Sequence, residues 1–483
     1  MQIEKLLSIK DSHVLIYGDF MVDKYISGSV KRISPEAPVP ILNVEKKESK
    51  LGGAGNVVNN ISELGASARV LGCVGDDADG EWIINKLDSG KVDVSFMKKD
   101  KEQFTIVKTR VVSKNQQYLR CDEEVIKDIP KEYEEFIQEN IDEVFRDISV
   151  VIISDYGKGA VTESLTQIII KEANKRNVPV VVDPKGTNYN KYYGATVCTP
   201  NMNELQVVMH RTVETEEEIL SVGEELRAMT NLTYLMVTRS EKGISVIENA
   251  SSKRDFPALK KDVIDVTGAG DTVVSIVSLC LGAGLTIDES CVLANIAASN
   301  VCSKFGAATL TMGELVEGVL YSGEYKLVDY KNISFIVDNL KRKGKKIVFT
   351  NGCFDLIHAG HLSSFEQARA FGDVLIVAIN SDASIKRIKG EKRPILDEKN
   401  RKALLCALEC IDYVIVMEED TPEELIKLIK PDVAVKGKDW ENKNIPEEKL
   451  VASYGGTMKF IELEKGLSTT NIISKIVDIN CGN

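Results

Sequence analysis

The sequence holds ten cysteines yet no C-x-x-C pair, so neither a zinc ribbon nor a dithiol redox couple is encoded, and reduced thiols are expected. Histidine is scarce, with four in 483 residues, and no carboxylate or thiol stands at the H-E-x-x-H type of spacing that would complete a zinc site. G-x-x-x-x-G-K-[ST] and G-x-G-x-x-G are both missing, which removes direct support for a P-loop NTPase or a conventional dinucleotide site. The longest uncharged run, 272–287, falls short of the roughly 18–20 residues of a membrane span and contains Gly282 and Gly284; it reads as a buried helix. Positive charge is not in excess. The formal charge is −12 with both signs interspersed, which argues against nucleic acid or an anionic membrane as partner. The opening MQIEKLLSIKDSH lacks a cationic segment followed by an apolar one, so a cytoplasmic location is expected. No short-period repeat or low-complexity tract is evident.

What is present is a soluble, globular composition, 43% hydrophobic and 28% charged, in a chain long enough for two or three domains. Short β-branched runs (HVLIYGD, VVIISDYG, VPVVVDP, LTYLMVTR) alternate with amphipathic stretches. That rhythm predicts an α/β fold with a mainly parallel sheet covered on both faces. Residues 104–124 break it with two strands and no helix between them, which predicts a β-flap over a site or an oligomer contact. The rhythm loosens again over 326–343 and restarts at IVFTNG. The expected organisation is therefore a first domain over 1–325, a linker over 326–343, and a second, smaller α/β domain over 344–483.

Two stretches carry phosphate chemistry. In DVTGAGD (265–271) a strand-like run gives way to the long apolar helix, and Gly268 and Gly270 allow a tight turn whose amides and helix dipole converge on an anion. Asp271 at that helix start is placed to take a proton from a hydroxyl nucleophile or, more plainly, to cap the helix. Asp19 and Asp23 in YGDFMVDKY are suited to sugar hydroxyls or to caps. GGAGNVVNN brings Gly52, Gly53 and Asn56, and TPNMNEL brings Asn201 and Glu204 just after a strand. Farther on, TNGCFDLIHAGHL puts His358 and His361 three apart at a probable helix start, hence on one face, with Gly360 clearing space between them. Two imidazoles there can donate to phosphate oxygens as pyrophosphate leaves. Lys386, Lys389 and Arg393 follow the next strand, and Ser468, Thr469 and Thr470 open the last helix, as caps or as triphosphate ligands.

GGAGN, TPNMNE and DVTGAGD, in this order and spacing, resemble the ribokinase-like (PfkB) sugar kinases over roughly residues 10 to 320. The resemblance implies a three-layer kinase domain with Asp271 as general base and Gly268, Ala269 and Gly270 as the anion hole. Asn201, Met202, Asn203 and Glu204 would lie at the ATP site, with Glu204 reaching Mg²⁺ through water. Asp19, Asp23, Gly52, Gly53, Asn56, Arg110 and Arg120 would face the sugar. That family often has Thr where Val266 stands and Phe where Val273 stands.

H-A-G-H, the basic loop and S-T-T together resemble the HxGH nucleotidyltransferases, over roughly residues 344 to 480. This implies a Rossmann-like domain in which His358, His361 and Lys389 are catalytic. Thr350, Asn351, Gly352, Phe354, Gly360 and Ser468 to Thr470 would bind the nucleotide.

The two halves in this order resemble the bifunctional heptose-phosphate kinase–adenylyltransferase family of Gram-negative bacteria. The activities that follow are phosphorylation of D-glycero-β-D-manno-heptose 7-phosphate at O1 and, after a separate phosphatase has acted, adenylyl transfer to heptose 1-phosphate. The implied partners are heptose phosphates and Mg²⁺-ATP, with no nucleic acid or membrane, in a homodimer formed through the kinase half. Lys108, Arg110 and Arg120 are candidates for the 7-phosphate. Two alternatives stay open: a different sugar-phosphate kinase fused to a glycerol-phosphate-type cytidylyltransferase, and a catalytically silent sensor.

Overall fold

The computed structural model describes residues 3–113, 116–259, 263–304, 306, 308–321, 326–328, 330–441 and 445–462. The chain divides into two compact units, Met1–Val316 and Glu317–Asn483.

The first unit is built on a nine-stranded sheet. Its order runs Ser252–Phe256, Ile244–Asn249, Tyr234–Thr238, Val197–Cys198, Val180–Asp183, Val150–Ser154, His13–Gly18, Ser67–Gly75, Asp93–Asp100. All pairings are parallel except those of the two strands nearest the Ser252–Phe256 edge. In strand His13–Gly18, Leu15 and Tyr17 join one apolar cluster with Val151, Val182 and the helix residues Leu165 and Ile169. Their neighbours Val14 and Ile16 are equally buried, on the opposite face, since side chains alternate along a strand. Both faces are therefore covered, which is why these strands read as continuous apolar runs. Helix Ala269–Gly282 is buried from Asp271 to Cys280, as the uncharged run predicts, and packs on helices Ala54–Glu63 and Ile287–Cys302.

A second, four-stranded sheet forms the flap, in the order Pro40–Gly53, Phe20–Ile33, Ile106–Ser113, Gln116–Glu123. The two strands expected between 104 and 124 are its smaller part. The fourteen-residue strands Phe20–Ile33 and Pro40–Gly53 carry polar runs such as VEKKESK, mostly exposed, and so lack the apolar alternation that marks a half-buried strand. Only Asp19 separates the central strand His13–Gly18 from flap strand Phe20–Ile33.

The second unit holds a six-stranded, all-parallel sheet in the order Leu327–Val328, Tyr413–Met417, Val374–Asn380, Ile347–Gly352, Val433–Gly437, Thr457–Ile461. The expected linker is not one. Leu327–Val328 is an edge strand of this sheet, and helix Tyr330–Arg342 packs on helix Glu423–Ile429. Ile333, Ile336, Val337 and Leu340 are its buried stripe, at the i, i+3, i+4, i+7 spacing of an amphipathic helix. Among the described residues no helix is long and apolar enough to cross a membrane, and the nine described cysteines are free.

Candidate active sites

In the first unit the carboxylate of Asp271 is the meeting point. Gly268, with φ 81°, lets the chain turn into helix Ala269–Gly282, whose first turn carries Asp271. Asn56, in the first turn of helix Ala54–Glu63, donates its amide to Oδ2 at 2.5 Å, and the Tyr156 hydroxyl donates to Oδ1 at 2.6 Å. Burial pushes the Asp271 carboxyl above its ordinary range, and nearby Asp23 adds to the rise; Tyr156, Asn56 and Lys108 pull the other way. A carboxylate so placed is a stronger proton acceptor than one in water. Beside it the amides of Gly268, Gly270 and Asp271 have no protein acceptor among the described residues, and the space over Gly270 is open. The Ala269 amide departs from the expected anion hole, because it donates to the Val266 carbonyl at 3.2 Å.

The flap supplies the sugar-side residues. Asp23 pairs with the Arg110 guanidinium, one strand over. A Cβ on Gly52 would stand 2.6 Å from the Asp23 carboxylate on the neighbouring flap strand, and Gly53 has φ 58° with the Asp19 carbonyl against it, so the backbone at Gly53 requires glycine. Arg120 lies directly across from Arg110 with its fork held by Asp122 at 2.7 Å. Lys108 is half-buried, and its amine stands 5.8 Å from the centre of the Tyr156 ring.

One expected role is not realised. Asp19 does not face a sugar: it is 2% exposed, and its oxygens accept from the backbone amides of Tyr156 (2.7 Å), Lys158 (3.2 Å) and Ala160 (2.9 Å). It pins the loop after strand Val150–Ser154. Met202 is partly buried and packs against the edge of the apolar cluster, while Asn203 beside it is exposed. Asn201 and Glu204 form a reciprocal cap of helix Met202–Met209, and the second Glu204 oxygen holds Lys185 at 2.8 Å. Tyr156 is the residue that sequence reasoning missed. Its partner is 115 positions away, so no local pattern could mark it; only its place at a strand's C-terminal end, where α/β sheets bind ligands, was a signal.

In the second unit a cavity of about 460 Å³ opens at the ends of strands Ile347–Gly352, Val374–Asn380 and Val433–Gly437. It is lined by Thr350, Asn351, Gly352, Phe354, His361 and Lys389 among others. His358 precedes helix Ala359–Arg369 and His361 lies in its first turn with buried Gly360. The two imidazoles stack with ring centres 3.9 Å apart, as their spacing predicts, while Phe354 meets His361 edge-on at 5.4 Å. Burial, and then the charges of His358 and Lys389, push His361 down to about 4. Two imidazoles this close cannot both be charged without an anion between or beside them.

Lys389 ends helix Asp382–Lys389 and makes no ion pair among the described residues. Arg393 is held by buried Asp355 at 2.8 Å and is not available for phosphate, while Lys386 is exposed. The Thr350 hydroxyl donates to the Val435 carbonyl at 3.0 Å, leaving its oxygen free to accept. Ser468, Thr469 and Thr470 lie outside the described residues.

Sequence reasoning also passed over Arg401, which is fully buried. It bonds the carbonyls of Leu396 (3.1 Å), Cys353 (2.9 Å) and Asn380 (2.8 Å) and the Asp382 carboxylate (2.7 Å), tying together the loops that frame the cavity. Lys436, in the cavity wall, holds Glu447 at 2.7 Å and stands 4.8 Å from the centre of the Trp440 ring.

Residues 11–312 match the pfkB family carbohydrate kinases and residues 349–475 the cytidylyltransferase-like family. The chain is 42% identical to the bifunctional protein HldE of Geobacter metallireducens, over 97% of this chain and 96% of that one. It is also 42% identical to the bifunctional protein HldE of Haemophilus influenzae strain PittEE, over 97% of each. Among solved structures, phosphofructokinase-2 from Escherichia coli covers 64% of this chain and 99% of its own at TM-score 0.54 and 19% identity. Ribokinase from Arabidopsis thaliana covers 64% and 98% at TM-score 0.51 and 18% identity. At that identity these two establish the fold of the first unit, a ribokinase-like kinase fold; the second carries the Rossmann-type nucleotidyltransferase fold. With both family matches in this order and near-complete coverage at 42% identity, the chain belongs to the bifunctional HldE family, an enzyme joining a carbohydrate kinase to a nucleotidyltransferase.

Proposed function

We propose that each of the two sites performs one of two phosphate transfers on the same sugar. The first unit phosphorylates D-glycero-β-D-manno-heptose 7-phosphate at O1, using ATP, to the 1,7-bisphosphate. The second transfers AMP from ATP to heptose 1-phosphate, giving ADP-heptose and pyrophosphate for lipopolysaccharide core or other heptose-containing glycans.

In the kinase half Asp271 accepts the O1 proton as the hydroxyl oxygen attacks the γ-phosphorus. The P–O bond to ADP breaks, and the amides of Gly268, Gly270 and Asp271 face the charge that grows on the phosphoryl oxygens. Asp23, Gly52, Gly53 and Asn56 hold the sugar. ATP enters as its Mg²⁺ complex; Glu204, engaged by Lys185 and its own helix cap, is suited to meet that ion only through water. In the transferase half a phosphate oxygen of heptose 1-phosphate attacks the α-phosphorus and pyrophosphate departs. His358, His361 and Lys389 donate to the phosphate oxygens, with no covalent intermediate.

The observation that carries this reading is one chain holding a buried, doubly hydrogen-bonded carboxylate beside unbonded amides, and separately a stacked imidazole pair in a cavity. A sensor would need the amides but neither the base nor both imidazoles. Free cysteines and nucleotide substrates support a cytoplasmic setting. Exposed Ile33, Val44, Tyr118 and Leu119 on the flap support a homodimer through the kinase half.

The test is a pair of variants. Asp271→Asn is expected to lose kinase activity by at least about a hundredfold while sparing adenylyl transfer, and His361→Ala the reverse. Loss of both activities in either variant would refute the two-site reading, and preference for CTP over ATP in pyrophosphate release would replace the adenylyltransferase with a cytidylyltransferase.

A further inference from the structure

We propose that Tyr156 is a positioning residue of the kinase site, its phenol O–H donating to Oδ1 of Asp271 so that the carboxylate is fixed in the orientation that meets the sugar hydroxyl. This rests on the reading of Asp271 as the base.

The geometry has three parts. First, both carboxylate oxygens are held by neutral donors, Asn56 on Oδ2 and Tyr156 on Oδ1, so the group cannot rotate without breaking a hydrogen bond to a charged acceptor. Each oxygen keeps a lone pair for substrate. Second, the phenol is itself held from behind. Asp19, buried, accepts the amides of Tyr156, Lys158 and Ala160, so the loop bearing the phenol has one conformation. Three amide bonds to one buried carboxylate fix the backbone from which the phenol projects.

Third, the groups facing the pair are few and of known sign. Asp23 and Lys108 from the flap and Asp183 from the central sheet are the charges that act on Asp271 or Tyr156, along with the two on each other. Lys108, at the Tyr156 ring, is the cation among them. Tyr156 is pushed well above its ordinary value by burial and then by Asp271, so it stays a donor across the working pH range. Removing the donor withdraws a hydrogen bond from the ionised form only, and the base should then titrate at higher pH.

The test is the pH profile of kinase kcat/KM, whose acid limb reports the base in the free enzyme. Tyr156→Phe is expected to move that limb up by about one to two pH units. The rate should fall about tenfold or more below the limb and converge toward the parent rate at high pH, with adenylyl transfer unchanged. Replacing Tyr156 by 3-fluorotyrosine, a stronger donor of nearly the same shape, is expected to move the limb down, and this variant carries the test should the phenylalanine variant fold poorly. A uniform loss of rate at all pH values, or a limb that neither replacement moves, overturns the proposal. Kinase activity retained by Asp271→Asn would instead overturn the base on which it rests, so the two failures are told apart.

Discussion

Asp271 and His361 are both shifted by burial, and the signs give opposite consequences. A carboxyl whose folded value is raised favours the folded state most at low pH and loses that contribution as pH climbs through the raised value. Asp271 in its ionised form therefore costs stability at neutral pH. Asp271→Asn should raise the unfolding free energy of the first unit by ~1 kcal/mol even as it removes kinase activity, measured by chemical denaturation. His361 is lowered to about 4, so the unfolded chain binds its proton first, and stability is lost as pH falls from the ordinary histidine value near 6.5 towards 4. NMR titration should find its ring neutral at pH 6 in the free protein, and pyrophosphate should move the titration upward, because an anion favours the imidazolium. No such movement would remove His361 from the phosphate site.

At the level of elements, Arg401 is the sharpest case. It joins the turn after strand Ile347–Gly352 to the end of strand Val374–Asn380 with no exposure to solvent, so Arg401→Met should cost about 3–5 kcal/mol in the second unit, read by denaturant unfolding, because Asp382 and three carbonyls lose their donor. The parallel sheets and the buried helix Ala269–Gly282 were legible in the sequence because apolar period and run length report burial directly. The long flap strands were not, since VEKKESK faces solvent and has no burial to report. At the sites, DVTGAGD and HAGH were legible because backbone turn and chemistry sit within one short stretch. Asp19 was misread for the complementary reason: a carboxylate after a strand looks the same whether sugar hydroxyls or main-chain amides are its partners, and those amides lie some 140 positions on. The segment 326–343 reads as a linker because its many charged residues dilute the apolar stripe Ile333, Ile336, Val337 and Leu340 that the fold buries.

For the whole molecule, that segment decides where the chain can be divided. A fragment beginning at residue 326 should fold and retain adenylyl transfer, whereas one beginning at 344 loses an edge strand and the helix covering Glu423–Ile429, and should be insoluble or inactive. Expression of the two fragments followed by circular dichroism and a pyrophosphate assay checks this. The flap makes a separate expectation for assembly: on the proposal of a dimer through the kinase half, sedimentation velocity should find a dimer for the parent chain and a monomer for Leu119→Glu with Tyr118→Glu. Each unit keeps its own sheet and its own apolar interior, while one message encodes both. Every ribosome that finishes thus delivers the two catalysts in equal number, and the relative flux through the steps is left to turnover rates alone. A stop codon in the second half would leave a cell with a working first enzyme, and with heptose 1-phosphate accumulating, once the separate phosphatase has acted, behind a step that no longer exists.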